Sequence, residues 1–376
     1  MIELVYLVNP DKCNVTSSNF PTLVKQFNSF KTTTVQWVDG MQHHLHDRYN
    51  PEKTVLFWGS HVNFLLASHH HFSVAQLGDH PFAIWLKSSV INLAPSHLLV
   101  GSEPRFVEPF SDLNRGGASY ISLEGTSPYL GSPSSHNDQP IDLLITMDMR
   151  SDYADYLSFL DSANTHLPIE VFKDVIEICT FDTSLYIYDV FKAVLIARSI
   201  DFETFSPMTL ENTYSHLHLI DMYLRNRKRR DLLEQVDKIT ENQNLNIVYI
   251  ATDHQFEFRG NQLTRSQPIN YTSYQQLVNQ SKVQICSQPS YPNVVDDRIV
   301  VSSYLGAGVC GDHNLKSQAL GLEIIAPELL TDFLAQPELI SSLAHQNKKI
   351  LDTCCTWISD FEDAVISSFN RWRELR

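Results

Sequence analysis

Residues 274–312 read YQQLVNQSKVQICSQPSYPNVVDDRIVVSSYLGAGVCGD. Tyr274–Gln280 has the spacing of a helix, and Val283–Ser287 is a short apolar run of strand length. A polar, proline-bearing loop follows. Arg298–Leu305 then returns to helical spacing and ends at Gly306, a normal helix stop, and Gly308–Cys310 is the next strand. Such a strand–loop–helix–strand order belongs to a parallel sheet. In open parallel sheets, ligands bind beyond the carboxyl ends of the strands. The loop after Ser287 lies at such an end. The helix starting near Asp296 or Asp297 presents free backbone N–H groups and the positive end of its dipole. Arg298 stands one residue into that helix. This arrangement reads in two ways: as a cradle for a diphosphate, or as an ordinary helix start with aspartate caps and a surface arginine.

The same alternation extends outward. Upstream, Asp231–Ile239 reads as a helix and Leu245–Ile250 as a buried strand; downstream, Leu320–Ile325 is followed by helices to the chain end. Near the N-terminus, Ile2–Val8, Thr33–Val38, Thr54–Trp58, Phe82–Leu86, His97–Gly101, Tyr120–Leu123 and Ile141–Met147 read as strands of a first sheet. Apolar strands separated by helical segments indicate parallel sheets covered on both faces. Between the two halves, residues 151–230 are mainly helical, with apolar residues at three- and four-residue spacing in Val171–Cys179 and Leu185–Ile200. That region ends in the basic run Arg225–Arg230, which reads as a solvated helix face or as a contact for an anion. The final segment carries Trp357, Phe361, Val365, Phe369 and Trp372 at helical spacing. It packs either on its own domain or back on the first.

With 376 residues, 43% of them hydrophobic, the chain has material for two cores. A net charge of -15 repels phosphate backbones and argues against nucleic acid as a partner. Six cysteines at irregular spacing, with no CxxC, read as reduced thiols of a cytoplasmic protein. No stretch has the length and apolarity of a transmembrane helix. The histidine groups His43, His44, His46 and His69, His70, His71 are too closely spaced on one element to converge on a metal ion. Neither GxGxxG nor GxSxG occurs, which removes the sequence support for dinucleotide binding and for an α/β-hydrolase.

Three short pieces in order, Ser281-Lys282-Val283, Asp297-Arg298-Ile299 and Leu305-Gly306-Ala307-Gly308-Val309, resemble the donor domain of GT-B glycosyltransferases, particularly the CgeB-like group. The Arg225–Val236 helix before the Leu245–Ile250 strand resembles the same family. Leu77-Gly78-Asp79-His80-Pro81-Phe82 is similar to its D-x-P-f segment. The resemblance implies an α/β fold of two Rossmann-like domains with a mainly helical connecting region. In these terms residues 1–150 are the acceptor domain, 151–230 the connector, 231–350 the nucleotide-sugar donor domain and 351–376 a helix able to cross back to the first domain. It further implies transfer of a sugar from a nucleotide-sugar donor to an unknown acceptor (a glycan, protein or small molecule), with no cofactor and no metal. Arg298, Asp297, Lys282, Tyr291 and Gly306 are the donor and diphosphate candidates; Asp79 and His80 are candidates for the base that deprotonates the acceptor. The alternative roles of Asp79 and His80 lie in a local turn network before Pro81. One departure stands out: where many members hold the ribose hydroxyls with a glutamate, this chain has Val301. That change leaves room for a non-catalytic, sugar-binding or assembly protein of the same fold.

Overall fold

The computed structural model describes residues 1–8, 23–36, 48–58, 71–76, 94–113, 117–123, 126, 129, 139–149, 160, 165–252, 256–288 and 292–376. The chain divides into two compact units, Met1–Leu130 with Cys355–Arg376, and Gly131–Cys354.

In the first unit, strands β1 (Ile2–Val8), β2 (Phe30–Gln36), β3 (Thr54–Trp58), β4 (Phe72–Gln76), β5 (His97–Gly101) and β6 (Ser119–Ser122) form one sheet in the order β2-β1-β3-β4-β5-β6. Every pairing is parallel. Helix α1 (Val107–Leu113) leads into β6. Alternate residues of the central strands, Leu4 and Tyr6, Val55 and Phe57, Phe72 and Val74, Leu98 and Val100, share one buried face. The helix that covers this face comes from the far end of the chain. Its residues Trp357, Phe361, Val365, Phe369 and Trp372 recur every three or four positions, forming a single stripe that joins the same core. The Phe361 ring stacks on Phe27 at 5.0 Å and on Trp357 at 5.1 Å, and tilts against Phe57 at 5.0 Å. Glu362 accepts the Ser29 backbone N–H at 2.6 Å. The final segment therefore packs on the first sheet.

The second unit holds β7 (Ile141–Ile145), β8 (Asn246–Ile250), β9 (Gln262–Ser266), β10 (Ser281–Cys286) and β11 (Gly308–Gly311), all parallel, in the order β11-β10-β7-β8-β9. Numbered by their own sequence, these strands run 3-2-1-4-5, the order of a mononucleotide-binding Rossmann sheet, with the direction reversing between β7 and β10. Ile141–Ile145 thus opens the second sheet rather than closing the first, and the unit boundary falls before it, not after residue 150. Its sequence, IDLLI, is as apolar as any strand of either sheet, and only the pairing decides where it belongs.

The mainly helical stretch also belongs to this second unit. Helices α2 (Ile169–Phe181) and α3 (Ile187–Ala197) precede α4 (Pro207–Thr240), 34 residues long and capped by Ser206, whose hydroxyl accepts the Thr209 N–H. At 1.5 Å per residue α4 is about 51 Å long, roughly three times the span of a five-residue strand. Its last third packs on the sheet through Leu232, Leu233 and Val236. Since α4 delivers the chain to the start of β8, it runs opposite to the strands. Residues 225–230 fall at the carboxyl edge of the sheet, and the N-terminal part projects beyond it. Helices α5 (Tyr271–Asn279), α6 (Asp297–Leu305), α7 (Leu315–Leu320), α8 (Leu330–Leu334) and α9 (Pro337–Cys354) complete the unit, and α10 (Trp357–Glu374) is the helix on the first sheet.

Replacing Phe361 by alanine should cost the first unit about 3–5 kcal/mol, the usual penalty for an emptied aromatic site. Urea unfolding followed by the fluorescence of Trp357 and Trp372 measures it; a loss below about 1 kcal/mol would mean the α10 stripe is not part of that core.

Candidate functional site

The carboxyl edge of the second sheet is where the sequence places its chemistry, and side chains from three elements meet there. Arg298, in the first turn of α6, reaches back over the point where the strand order reverses. Its Nη1 donates to the Thr146 carbonyl just past β7 at 3.2 Å, and its Nη2 to the Ser287 carbonyl just past β10 at 3.1 Å. Its Nε and Nη2 also form a fork on Asp296 at 2.8 and 2.7 Å. Asp296 in turn caps α6 by accepting the Arg298 backbone N–H at 2.8 Å. Burial works against ionisation of Asp296, but the adjacent Arg298 guanidinium overrides it and holds the carboxyl below the usual carboxylate range. The donors of Arg298 thus hold the two central strands and the helix together. The helix start is closed by the aspartate of its own cap.

The other donor candidates separate. Lys282 is the second residue of β10, at the amino edge, and its ammonium pairs with Asp142 of β7 at 2.7 Å. Four further residues of strand, about 13 Å, lie between it and the carboxyl edge. Gly306 is the left-handed C-cap of α6, with φ 81°, and serves the turn into β11. Asp297 is exposed in the first turn of α6. Val301 is 2% exposed in the core, so its side chain does not reach the ligand side at all. Tyr291, Asp79, His80 and the Phe82–Leu86 strand lie outside the described residues. Phe258 is core and Phe256 packs on it at 5.1 Å.

What the sequence reading treated chiefly as a solvated face turns inward. Arg229 donates from Nη1 to the Asp148 carbonyl at 2.8 Å. Lys228 forms an ion pair with Asp312 and donates to the Gln288 carbonyl at 3.3 Å. Arg225 pairs with Asp221 at 2.7 Å. Arg227 is exposed and forms no ion pair among the described residues. Burial, followed by the charges of Arg298 and Arg225, pulls the Arg229 pKa down to about 10; it stays cationic at neutral pH within a cluster of like charge. Gln288, 2% exposed, accepts from Asn314 through its Oε1 and leaves its Nε2 donor without a protein partner.

Beside this cluster lies a cavity of about 440 Å³, within the range of small-molecule sites. One side is α4, from Asp221 to Gln235; the other is built from the ends of α2 and β11 and from Ala326, Pro327 and Glu328. Gly311 at its wall must be glycine, since a Cβ there would stand 1.9 Å from the Cys286 carbonyl oxygen. Among the described residues no cluster of histidine, cysteine, aspartate or glutamate is arranged to hold a metal ion, and no helix is long and apolar enough to cross a membrane.

No protein-family model matches the chain, and no curated protein matches it in sequence. Among solved structures, TarM aligns with a TM-score of 0.45 and 8% identity, covering 88% of this chain and 57% of TarM. The pneumococcal O-GlcNAc transferase GtfA in complex with UDP and GlcNAc aligns with a TM-score of 0.43 and 9% identity, covering 87% of this chain and 59% of GtfA. The chain spans less than two thirds of either of these structures.

Arg298→Gln should destabilise the second unit by about 3–5 kcal/mol, because it strands a buried carboxylate, whereas Asp296→Asn/Arg298→Gln should cost clearly less. The folded pKa of Asp296 is depressed, so its share of stability is present above its ordinary value of 3.8 and fades as pH falls through the folded value. The stability gap between wild type and Asp296→Asn should accordingly narrow on acidification below that value; a gap that widened would contradict the pairing.

Proposed function

We propose that the second unit binds a nucleoside diphosphate sugar along α4 and that the protein transfers the sugar to an acceptor. The observation that carries this reading is the cavity at the carboxyl edge of a 3-2-1-4-5 parallel sheet, walled by a helix that brings Arg225, Arg227 and Lys228 to it. Arg227 and Lys228 are the phosphate ligands, with Lys228 exchanging Asp312 for the more highly charged diphosphate. The nearby Arg229, held among like charges, adds to the positive field. Glu328 lines the same cavity and takes the ribose-binding role that Val301 leaves open, since a carboxylate accepts both hydrogens of a vicinal diol. On departure of the sugar, negative charge grows on the diphosphate, and preorganised cations stabilise it there. The motif resemblance assigns the acceptor to the first unit, with Asp79 or His80 as its base. The cations of α4 supply the positive charge that a metal would otherwise bring.

A second reading is a protein that binds the nucleotide sugar without transferring it. The closure of the α6 start by Asp296 and Arg298 favours it, because that helix end is then not available to a leaving group.

Calorimetric titration with UDP, GDP, dTDP and CMP, free and as sugar conjugates, tests the binding reading. One of these should bind, and Lys228→Ala or Arg227→Ala should weaken it about 10- to 100-fold, the worth of a charge-assisted hydrogen bond. Absence of binding by every nucleotide refutes it. Binding without donor hydrolysis or transfer selects the second reading. Transfer, where it occurs, should survive EDTA at millimolar concentration; its abolition, with restoration by added divalent cation, would show that the α4 cations do not suffice.

A further inference from the structure

The cavity has two chemically different ends. It follows α4 from Asp221 to Gln235, 15 residues and about 21 Å of helix. Arg227 and Lys228 stand near the middle. Toward Gln235 the walls include Leu232, Ala326 and Pro327, a surface for a flat base, with Asp231 and Glu328 beside them. Toward Asp221 they include Thr180 and Thr183 of the α2 end. At that end Oδ1 of Asp221 and the hydroxyl of Thr180 find no hydrogen-bond partner in the protein, while Oδ2 of Asp221 is ion-paired with Arg225 at 2.7 Å. Asp221 is 1% exposed, so its Oδ1 is buried with no donor on it from the protein. A buried carboxylate oxygen without a donor is costly, and Asp221 lines the cavity, so a ligand there can supply the donor. The neighbouring Cys179 thiol, raised to about 12 chiefly by burial and further by the Asp221 charge, stays protonated and offers no nucleophile.

Resting on the nucleotide-sugar reading, we infer that Asp221, with Thr180 beside it, recognises hydroxyl groups of the transferred sugar and sets which sugar the protein accepts. The open Oδ1 of Asp221 suits one hydroxyl of a pyranose, and the Thr180 hydroxyl suits a second. The nucleoside and diphosphate therefore lie on the Lys228–Gln235 side, and the sugar points along α4 toward its N-terminus.

The test compares dissociation constants of UDP, GDP and dTDP, each alone and as its glucose, galactose and N-acetylglucosamine conjugates, for wild type, Asp221→Asn and Asp221→Asn/Arg225→Gln. The double variant removes both charges of the ion pair and so guards against loss of fold through an unpaired arginine. The wild type should bind one conjugate more tightly than its bare diphosphate. In both variants that preference should fall by about ten-fold or more, while the Asp221→Asn single variant binds the bare diphosphate within about two-fold of wild type. Equal weakening of diphosphate and conjugate in the single variant would place Asp221 at the phosphates and overturn the inference. So would an unchanged preference. Binding of no nucleotide by the wild type would remove the functional reading itself, a result distinct from either.

Discussion

The ion pair between Asp296 and Arg298 closes the second sheet at its one topological discontinuity. β7 and β10 are neighbours whose following connections leave in opposite directions, so their carboxyl ends part and expose carbonyl groups. Arg298 binds one carbonyl from each strand, and Asp296 fixes the guanidinium while capping α6. Beneath this pair, Gln284 accepts from Tyr274 and Ser302 and donates to Thr146. A polar network inside a sheet is tolerated only when its members are satisfied, and here the side chains on β10, α5 and α6 satisfy one another. The cavity of the second unit lies to the side of this closed crevice, beside β11 and α4.

That displacement makes the length and register of α4 decisive. A helix of ordinary length would cover the sheet and end. The additional turns of α4 carry its cations past the strands, where Lys228 meets Asp312 and Arg229 meets the carbonyl of Asp148. The apolar residues Leu232, Leu233 and Val236 fix the rotation of the helix on the sheet, and with it which way Asp221, Arg225 and Lys228 face, since these lie three or four residues apart on one side. Packing in the core thus sets the aim of the charged groups.

Much of this was legible in the sequence. The apolar strands Ile2–Val8, Thr54–Trp58 and His97–Gly101 match their readings residue for residue, and the α6 stop at Gly306 is where a left-handed glycine places it. Two strands escaped. β9, QLTRS, is a half-exposed edge whose polarity hides its pairing, and β4, FSVAQ, is a five-residue run interrupted by Ser73 and ending in Gln76. The site was less legible. Arg298 was recognised as chemically important, but nothing local in the sequence tells a guanidinium that binds phosphate from one that binds two carbonyls 152 and 11 residues away. Asp221 and Thr180 carry no motif; their importance arises from α2 and α4 meeting around a cavity. The inward turn of the basic run depends on the length of α4, whose continuity from Pro207 was concealed by reading its last part as a separate helix.

The charges lining the cavity nearly cancel: Arg225, Arg227 and Lys228 face Asp221, Asp231, Asp312 and Glu328. An anion site built of unpaired cations would bind any phosphate, including the inorganic ion. Here each phosphate contact by Lys228 requires it to leave Asp312, so a ligand must offer more than charge to be held. Under the proposed reading, a nucleotide sugar does so at both ends, through its base and through its hydroxyls. Free phosphate offers neither. The carboxylates therefore act as a filter as well as a counter-charge: they lower affinity for simple anions and leave selectivity to the parts of the ligand that reach the apolar and the hydroxyl-bearing ends.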